Sequence, residues 1–191
     1  FVQSWGAVLV WRWLFNDLYG ILNHIMLQLG LVDMPVNWLG QMPNAMISVI
    51  MVGAWKYFPF VVIAVLARLQ TIPPQLYEAA AIDGAGPLRR FRDVTLPMLT
   101  PTLFFVLITS LIGAFQVFDT AFVLGGGSRG GSSESLLFYL LNLWNEGFRN
   151  GRLGYASALG WVLIVAAAIA ILVLFRTADR WVYYEAGPEK G

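Results

Sequence analysis

The chain has 191 residues, of which 58% are hydrophobic and 12% charged, and its mean hydropathy is +0.67. A soluble domain of this size can bury one long apolar helix, but hardly several without amphipathic partners. The net charge of +1 favours no nucleic-acid partner. The chain contains no cysteine, which excludes disulfides, thiolate metal sites and thiol catalysis.

The first element is an apolar stretch, FVQSWGAVLVWRWLF, whose polar residues are Gln3, Ser4 and Arg12. It is too short to cross a bilayer comfortably on its own. We therefore expect residues 1–16 to be the end of a spanning helix whose start precedes this sequence. A signal peptide is the alternative, but the stretch lacks a basic start and a small-residue cleavage pattern.

Three further apolar runs are long enough to span a bilayer. Residues 45–67 carry one charge, Lys56, whereas residues 97–118 and 153–175 carry none. A helix of 23 residues, the length of the first and last runs, reaches about 34 Å against a hydrocarbon core of roughly 30 Å. The middle run can continue to Leu124, past the ionisable Asp119. The sequence thus predicts transmembrane helices at 45–68, 97–124 and 153–176.

Lysine and arginine residues predict which side of the membrane each connecting segment faces. Seven of them lie in or beside residues 69–96 and the tail 177–191: Arg68, Arg89, Arg90, Arg92, Arg176, Arg180 and Lys190. Segments 17–44 and 125–152 carry only Arg129, Arg149 and Arg152. By the positive-inside rule, 69–96 and the tail are cytoplasmic, and 17–44 and 125–152 are extracytoplasmic.

The predicted cytoplasmic loop, 69–96, is punctuated by proline and glycine. Pro73-Pro74 stops the preceding helix, and a new helix can start at Pro74 and run to Ile82. Asp83-Gly84 then ends it, because glycine accepts the left-handed conformation found just past a helix. A second short helix follows from Pro87, with Leu88, Phe91 and Val94 on one face. The loop is predicted to be a two-helix elbow, which by itself also fits an ordinary hairpin capping a helix bundle.

The spacing within this elbow resembles the EAA loop of ABC importer permeases. The matching residues are Glu78-Ala79-Ala80, Gly84 and Leu96-Pro97, with Val94 where the pattern usually has Ile. The flanking segments LQTIPPQLYEAAAIDGA, TLPMLTPTLFFVLITS and GAFQVFDTAFVLGGG resemble the carbohydrate-uptake branch, which includes maltose, trehalose and glycerol-3-phosphate permeases. The resemblance covers essentially the whole chain. It implies an all-α, polytopic transmembrane helix bundle of six spans, of which this sequence would hold the last three and a half.

The resemblance also implies partners and a mechanical role. In that family the elbow is a coupling helix that docks in a cleft of a separate ATP-binding subunit. Glu78, Ala79, Ala80 and Gly84 would form the docking contact, with Asp83 and the arginines Arg89 and Arg90 at its rim. The implied assembly contains a second permease, a dimer of ATP-binding subunits and an extracytoplasmic solute-binding protein. Its implied location is the plasma (inner) membrane of a bacterium or archaeon.

This chain has no phosphate-binding loop of its own. Such a loop needs a lysine followed by Ser or Thr, whereas Lys56 and Lys190 precede Tyr57 and Gly191. ATP and Mg²⁺ are therefore expected on the partner ATPase. The sequence predicts a transport subunit without enzymatic activity.

Ionisable residues inside membrane spans cost free energy and are candidates for function. Lys56 lies near the middle of its predicted span, and Asp119 lies about 15 Å nearer the outer face, so a direct ion pair is not expected. Gln116 and Asp119, at i and i+3, would share a helix face lining the solute pathway, with Phe115 or Phe118 for ring stacking. The structural alternatives are that Lys56 snorkels, that Asp119 caps a helix and that both phenylalanines serve packing.

The second extracytoplasmic segment contains a Gly/Ser-rich stretch, residues 125–135, and then an apolar helix from about Glu134 to Trp144. The Gly/Ser stretch fits a flexible connection better than an anion-binding loop. His24 has neither a cysteine nor a second histidine near it, which argues against a metal site.

Three other functions remain open on the sequence. One is an ABC importer permease for a non-sugar solute, because EAA loops also occur in importers of amino acids, phosphate and metals. Another is an intramembrane enzyme using Asp119 or His24, which lacks a second carboxylate or a ligand cluster at membrane depth. The last is a membrane scaffold that binds soluble partners through the elbow. The sequence does not name the solute.

Overall fold

The computed structural model describes residues 5–128, 130–131 and 134–183. Within these ranges the regular secondary structure is entirely helical: α1 (Trp5–Leu14), α2 (Ile21–Gln28), α3 (Asn44–Thr71), α4 (Pro74–Ile82), α5 (Pro87–Arg90), α6 (Leu96–Phe115), α7 (Asp119–Leu124), α8 (Tyr139–Trp144) and α9 (Leu153–Ala178). The predicted all-α class is confirmed. Arg129 and Lys190, which entered the charge count, lie outside the described residues.

Three helices are long and apolar enough to cross a membrane: Asn44–Thr71, Pro87–Phe115 and Leu153–Ala178. Their most apolar stretches are 11%, 17% and 0% buried within the chain. The chain therefore leaves most of its apolar helix surface uncovered, which a soluble protein could not tolerate. Lipid or neighbouring membrane helices provide the cover that such surfaces need.

The middle span starts earlier than the sequence predicted. The second helix of the elbow is not separate, because α5 continues through a π turn, Phe91–Thr95, into α6. The amide of Leu96 donates to the carbonyl oxygen of Phe91, five residues back, which is the π pattern. Pro97 follows directly and has no amide hydrogen, so the ordinary helical ladder cannot continue unchanged at this point.

The same span also ends earlier than predicted, because residues 97–124 do not form one helix. α6 stops at Phe115, and α7 begins at Asp119 after a break at 116–118. Phe118 has φ −121° and ψ −64°, outside helical values. Asp119 lies in the first turn of α7, where a negative charge interacts favourably with the helix dipole, and the residue at the N-cap position is Phe118, which cannot cap the helix with its side chain.

The helix predicted from about Glu134 begins only at Tyr139. Gly130, Gly131 and Glu134 have φ values of 67°, 90° and 54°, which a right-handed helix cannot contain. α8 then continues into a second π turn, Asn145–Arg149. Residues 134–138 therefore form an irregular segment ahead of α8.

The chain forms two compact units, and the first consists of residues 1–56 and 114–164. In it α1 packs against α7. Their contact belongs to an apolar cluster of buried residues: Val8, Phe15, Ala45, Val49, Val52, Val123, Leu124 and Leu136. Asn23, only 3% exposed, holds the connection between α2 and α3 by bonding to the backbone of Asp17 and Val36 and to the indole of Trp38.

The second unit consists of residues 57–113 and 165–191. Its buried cluster is Phe104, Ala178 and Val182, and the ring of Phe104 contacts that of Phe175 edge-on at 5.2 Å. The amide of Tyr183 donates to the Thr100 hydroxyl at 2.8 Å, which fixes the chain after α9 against α6. The elbow belongs to this unit.

Candidate coupling elbow and pathway residues

The first arm of the elbow is α4, and both of its ends follow from local sequence. Pro73 is extended, with φ −60° and ψ 130°, and Pro74 is the first helical residue, where no amide hydrogen is needed. At the other end Gly84 takes φ 72°. The amide of Ala85 donates to the carbonyl oxygen of Ala80 at 2.9 Å, and that of Gly84 to Ala81 at 3.0 Å. This is a Schellman motif, and the predicted left-handed glycine is confirmed.

The second arm begins at α5, where Pro87 again occupies the first helical position after the extended Gly86. The guanidinium of Arg90 donates from Nε to the carbonyl oxygen of Ala85 at 2.8 Å. This bond ties the second arm back to the turn between the arms. Arg90 is half-buried, so its guanidinium is less accessible than that of Arg89, and its role at the rim stays a prediction.

A second contact joins the arms further from the turn. The hydroxyl groups of Tyr77 and Thr95 lie 3.0 Å apart, within hydrogen-bond distance. Thr95 is 9% exposed and ends the π turn, whereas Tyr77 is half-buried in the middle of α4. Tyr77 thus fixes α4 against the start of the middle span.

The residues predicted to dock are presented to the outside. Glu78, Ala79, Asp83 and Gly84 are exposed, and Ala80 is partly buried. A Cβ atom built on Gly84 meets nothing within 4 Å, so a neighbouring surface can approach the backbone there. Beside the turn Arg89 pairs with Asp93 at 3.4 Å, and because both side chains are more than half exposed, Arg89 stays accessible to a neighbouring surface.

Sequence reasoning missed the two most exposed large apolar side chains of the elbow. Ile82, the last residue of α4, is 87% exposed, and Leu88 is 82% exposed. They flank the turn at Gly84 in the sequence. The sequence predicts Ile82 only as the end of the first helix, and Leu88 as part of an apolar face shared with Phe91 and Val94. Their position on either side of Asp83-Gly84 is the sequence signal that could have identified them.

The predicted pathway residues occupy three different settings. Phe115 is the last residue of α6, Gln116 is exposed in the break that follows, and Asp119 starts α7. Gln116 and Asp119 therefore do not share one helix face, which corrects the predicted i, i+3 arrangement. Phe118 stacks on Phe122 with ring centroids 5.7 Å apart and contacts Trp144 at 6.1 Å, so its ring takes part in packing.

Lys56 lies in α3 and is half-buried. Within the part of the chain that the structure describes, neither it nor Asp119 forms an ion pair. The Nε2 atoms of His24 and Gln28 lie 3.0 Å apart, within hydrogen-bond distance. No group of three His, Cys, Asp or Glu residues that could hold a metal occurs among the described residues.

Long apolar helices with uncovered surfaces, joined by an exposed polar elbow, define a polytopic helical membrane protein. The chain belongs to the family of binding-protein-dependent transport system inner membrane components, which matches residues 2–184. The family that the EAA spacing indicated is thereby confirmed. The roles of Glu78 and the other elbow residues stay predictions.

Curated relatives of the chain are permeases. It is 41% identical over 167 residues to the trehalose/maltose transport system permease protein of Thermococcus litoralis, covering 87% of this chain and 55% of the relative. A probable ABC transporter permease protein of Bacillus subtilis is 36% identical over 187 residues, covering 97% of this chain and 59% of the relative. The sn-glycerol-3-phosphate transport system permease protein of Pectobacterium atrosepticum is 35% identical, covering 94% and 59%. The chain thus spans somewhat more than half the length of these relatives.

Solved structures give the same fold. A crystal structure of a bacterial ABC transporter involved in the import of the acidic polysaccharide alginate matches with a TM-score of 0.79 and 25% identity. The match covers 93% of this chain and 61% of that chain. A second structure, of a bacterial alginate transporter in complex with an alginate pentasaccharide-bound periplasmic protein, matches equally well. The predicted fold of an ABC importer permease is confirmed.

Proposed function

We propose that this chain is part of the permease subunit of an ATP-driven importer for a sugar or a sugar-like solute. The relatives named for trehalose/maltose and sn-glycerol-3-phosphate, and the solved transporter for a polysaccharide, support this solute class. The three apolar helices form the part of the translocation pathway that this chain contributes. The chain is a transport subunit that does not itself hydrolyse ATP.

The proposed role of the elbow in coupling to an ATPase rests on one observation. Two large apolar side chains, one on each side of its turn, are exposed. Ile82 and Leu88 are 87% and 82% exposed beside exposed Glu78 and Asp83. Apolar side chains rimmed by polar ones mark sites where another protein docks, and a few such residues dominate the binding energy. The occupant is the ATP-binding subunit, which binds ATP and Mg²⁺. Glu78, Ala79, Ala80 and Gly84 complete the contact, with Arg89 at the rim.

The remaining partners follow from the uncovered surfaces and from the relatives. A second permease and the lipid bilayer cover the three apolar helices, which are at most 17% buried over their most apolar stretches. A solute-binding protein meets segments 17–44 and 125–152, as the periplasmic protein in the alginate complex supports. The elbow and the tail face the cytoplasm of a cell whose plasma membrane holds the protein.

For the pathway itself we propose Gln116 and Asp119 as polar contacts to the solute, with Phe115 beside them. Asp119 makes no ion pair among the described residues, which leaves its carboxylate available for a solute hydroxyl. Phe118 has a smaller part, because Phe122 and Trp144 already cover its ring. Lys56 faces the bundle interior or the second permease.

Co-purification of the permease with its ATP-binding subunit tests the coupling role. Ile82→Ala and Leu88→Ala should each weaken retention of the ATPase by about tenfold or more, as truncating a buried interface anchor does. Ile63→Ala is the matched control, because Ile63 is 68% exposed but lies within the α3 span. Equal retention by all three variants would contradict the docking role.

Uptake by proteoliposomes separates the remaining functions. The assembled transporter should accumulate radiolabelled maltose, trehalose or sn-glycerol-3-phosphate in an ATP-dependent manner. Uptake of a non-sugar solute alone would establish an importer of another class. Retention of an ATPase without uptake of any solute would establish the scaffold instead.

A further inference from the structure

The first arm of the elbow has almost no packing of its own. α4 contains no buried residue, and only Tyr77 and Ala80 in it are partly buried. Among the described residues, the Tyr77–Thr95 contact is the one side-chain hydrogen bond that joins α4 to the rest of the chain. Apart from the partial packing of Ala80 against the second arm, a force applied to the exposed face of α4 is transmitted through this contact or through the two ends of the helix.

The turn between the arms carries such a force less directly. Ala85 is hydrogen-bonded to both arms, but it lies between Gly84, at φ 72°, and Gly86, and glycine is the residue with the greatest backbone freedom. The route through the second arm then crosses the π turn, Phe91–Thr95, whose hydrogen bonding differs from that of the flanking α-helix. The Tyr77 hydroxyl bypasses both features, because Thr95 is the last residue before α6 begins at Leu96.

We propose that Tyr77 and Thr95 are positioning residues that transmit the displacement of α4 directly to the α6 span during the transport cycle. This inference rests on the proposed function, since it assumes that an ATP-binding subunit moves the elbow. The Tyr77–Thr95 hydrogen bond makes α4 and the start of α6 move together, so that ATP hydrolysis is coupled to passage of the solute. Without this bond, α4 pivots on its two ends and part of the displacement is lost in the glycine turn.

Loss of the Tyr77–Thr95 bond should change the coupling of ATP hydrolysis to transport without changing the binding of the ATPase to the elbow. Tyr77 is half-buried, whereas Glu78 and Ile82, the proposed docking residues of α4, are exposed. Removing the Tyr77 hydroxyl leaves the docking surface intact. One hydrogen bond can bias a conformational equilibrium only by its own free energy. The ratio of ATP hydrolysed to sugar imported should therefore change about fivefold when this bond is lost.

The test measures ATP hydrolysed per sugar imported by the complete transporter in proteoliposomes, with radiolabelled maltose or trehalose as the probe. Tyr77→Phe and Thr95→Val should each raise this ratio about fivefold, and the double variant should raise it no further, because both remove the same bond. Thr95→Ser retains a hydroxyl and should behave as the wild type. The amount of co-purified ATPase should be unchanged in all four.

The proposal is overturned if import and hydrolysis fall in equal proportion, or if the ratio stays at the wild-type value in both single variants. Loss of the co-purified ATPase in Tyr77→Phe would also overturn it, because Tyr77 would then be a docking residue. Failure of the wild-type permease to retain any ATPase would instead contradict the proposed function.

A distance measurement covers the case in which a variant no longer transports. These 191 residues contain no cysteine, so in a transporter whose remaining segments and subunits are also free of cysteine, spin labels at Gln75→Cys on α4 and Phe105→Cys on α6 report a single distance. The distribution should be narrow with Tyr77 and broad with Tyr77→Phe, in both nucleotide-free and vanadate-trapped transporter. Equal widths in the two proteins would overturn the proposal.

Discussion

The amide of Ala85 reaches back to the carbonyl oxygen of Ala80 at 2.9 Å, closing α4 across the left-handed Gly84. This bond and the Arg90 bond to the Ala85 carbonyl oxygen, at 2.8 Å, use both backbone polar groups of Ala85. Ala85 is only 8% exposed although its neighbours on both sides are exposed. The elbow therefore turns about one buried, fully bonded residue.

Gly84→Ala should loosen this turn without a steric clash. A Cβ at Gly84 has no neighbour within 4 Å, so the cost is the left-handed backbone alone, about 1 to 2 kcal/mol. Hydrogen exchange of the Ala85 amide should accelerate by roughly tenfold, measured by mass spectrometry on the elbow peptide. Gly86→Ala is the matched control, because Gly86 has φ −69° and equally open space. Equal acceleration in both variants would contradict the prediction.

The elbow also shows which structural features the sequence could predict. Pro74, Pro87 and Gly84 act through their own backbone geometry, so their places at helix starts and past a helix end could be read locally. The inward turn of Arg90 depends on where the Ala85 carbonyl lies after folding. The exposure of Leu88 likewise depends on where the second arm lies after folding, although its place beside Asp83-Gly84 is visible in the sequence.

The break after Phe115 was missed for a similar reason. The apolar run continues through Val117 and Phe118 to Leu124 without proline or glycine, so hydropathy favours one helix. In the folded chain Phe118 packs against Phe122 and Trp144, and Trp144 comes from a helix more than twenty residues later. This tertiary packing outweighs the local preference for helix.

A larger residue at Gly113 should separate α3 from α6. A Cβ built there would overlap the Tyr57 hydroxyl and lie 3.0 Å from its Cζ atom. Helices in membranes use glycine at such close approaches. We expect Gly113→Val to destabilise the permease by about 2 kcal/mol, measured by thermal unfolding in detergent.

Two variants control this prediction. Gly53→Val adds the same side chain to α3, where a Cβ meets nothing within 4 Å, and should have little effect. Tyr57→Phe removes the hydroxyl and should recover part of the stability lost by Gly113→Val. If Gly53→Val is as harmful as Gly113→Val, the close contact with Tyr57 is not the cause.

Asn23→Asp should destabilise the connection between α2 and α3. The Asn23 Nδ2 group donates to the carbonyl oxygens of Val36 at 2.9 Å and Asp17 at 3.3 Å, and Oδ1 accepts from the Val36 amide and the Trp38 indole. An aspartate cannot donate, and its charge would face two carbonyl oxygens at a site 3% exposed. The expected loss is about 2 to 4 kcal/mol.

Hydrogen exchange of the Val36 amide measures this effect, and it should accelerate strongly in Asn23→Asp. Asn44→Asp is the matched control, because Asn44 makes one exposed bond, to the Asn37 carbonyl oxygen at 3.2 Å. Equal protection of Val36 in the two variants would rule out Asn23 as the residue that holds this segment. The sequence could not predict the importance of Asn23, because Val36 and Trp38, which it bonds, lie 13 and 15 residues away in an irregular segment.

Asp119→Ala and Gln116→Ala test the proposed solute pathway. A hydrogen bond from a solute hydroxyl to a carboxylate contributes about 1.5 to 3 kcal/mol, so Asp119→Ala should lower the import rate at limiting maltose or trehalose by roughly tenfold or more. Asp179→Ala, at an exposed carboxylate just after α9, should import normally. Because Gln116 lies in the break after α6 and Asp119 begins α7, a different segment positions each side chain, and the two effects should multiply in the double variant. Wild-type import by both single variants would remove these residues from the pathway and leave Asp119 as a favourable charge at the start of α7.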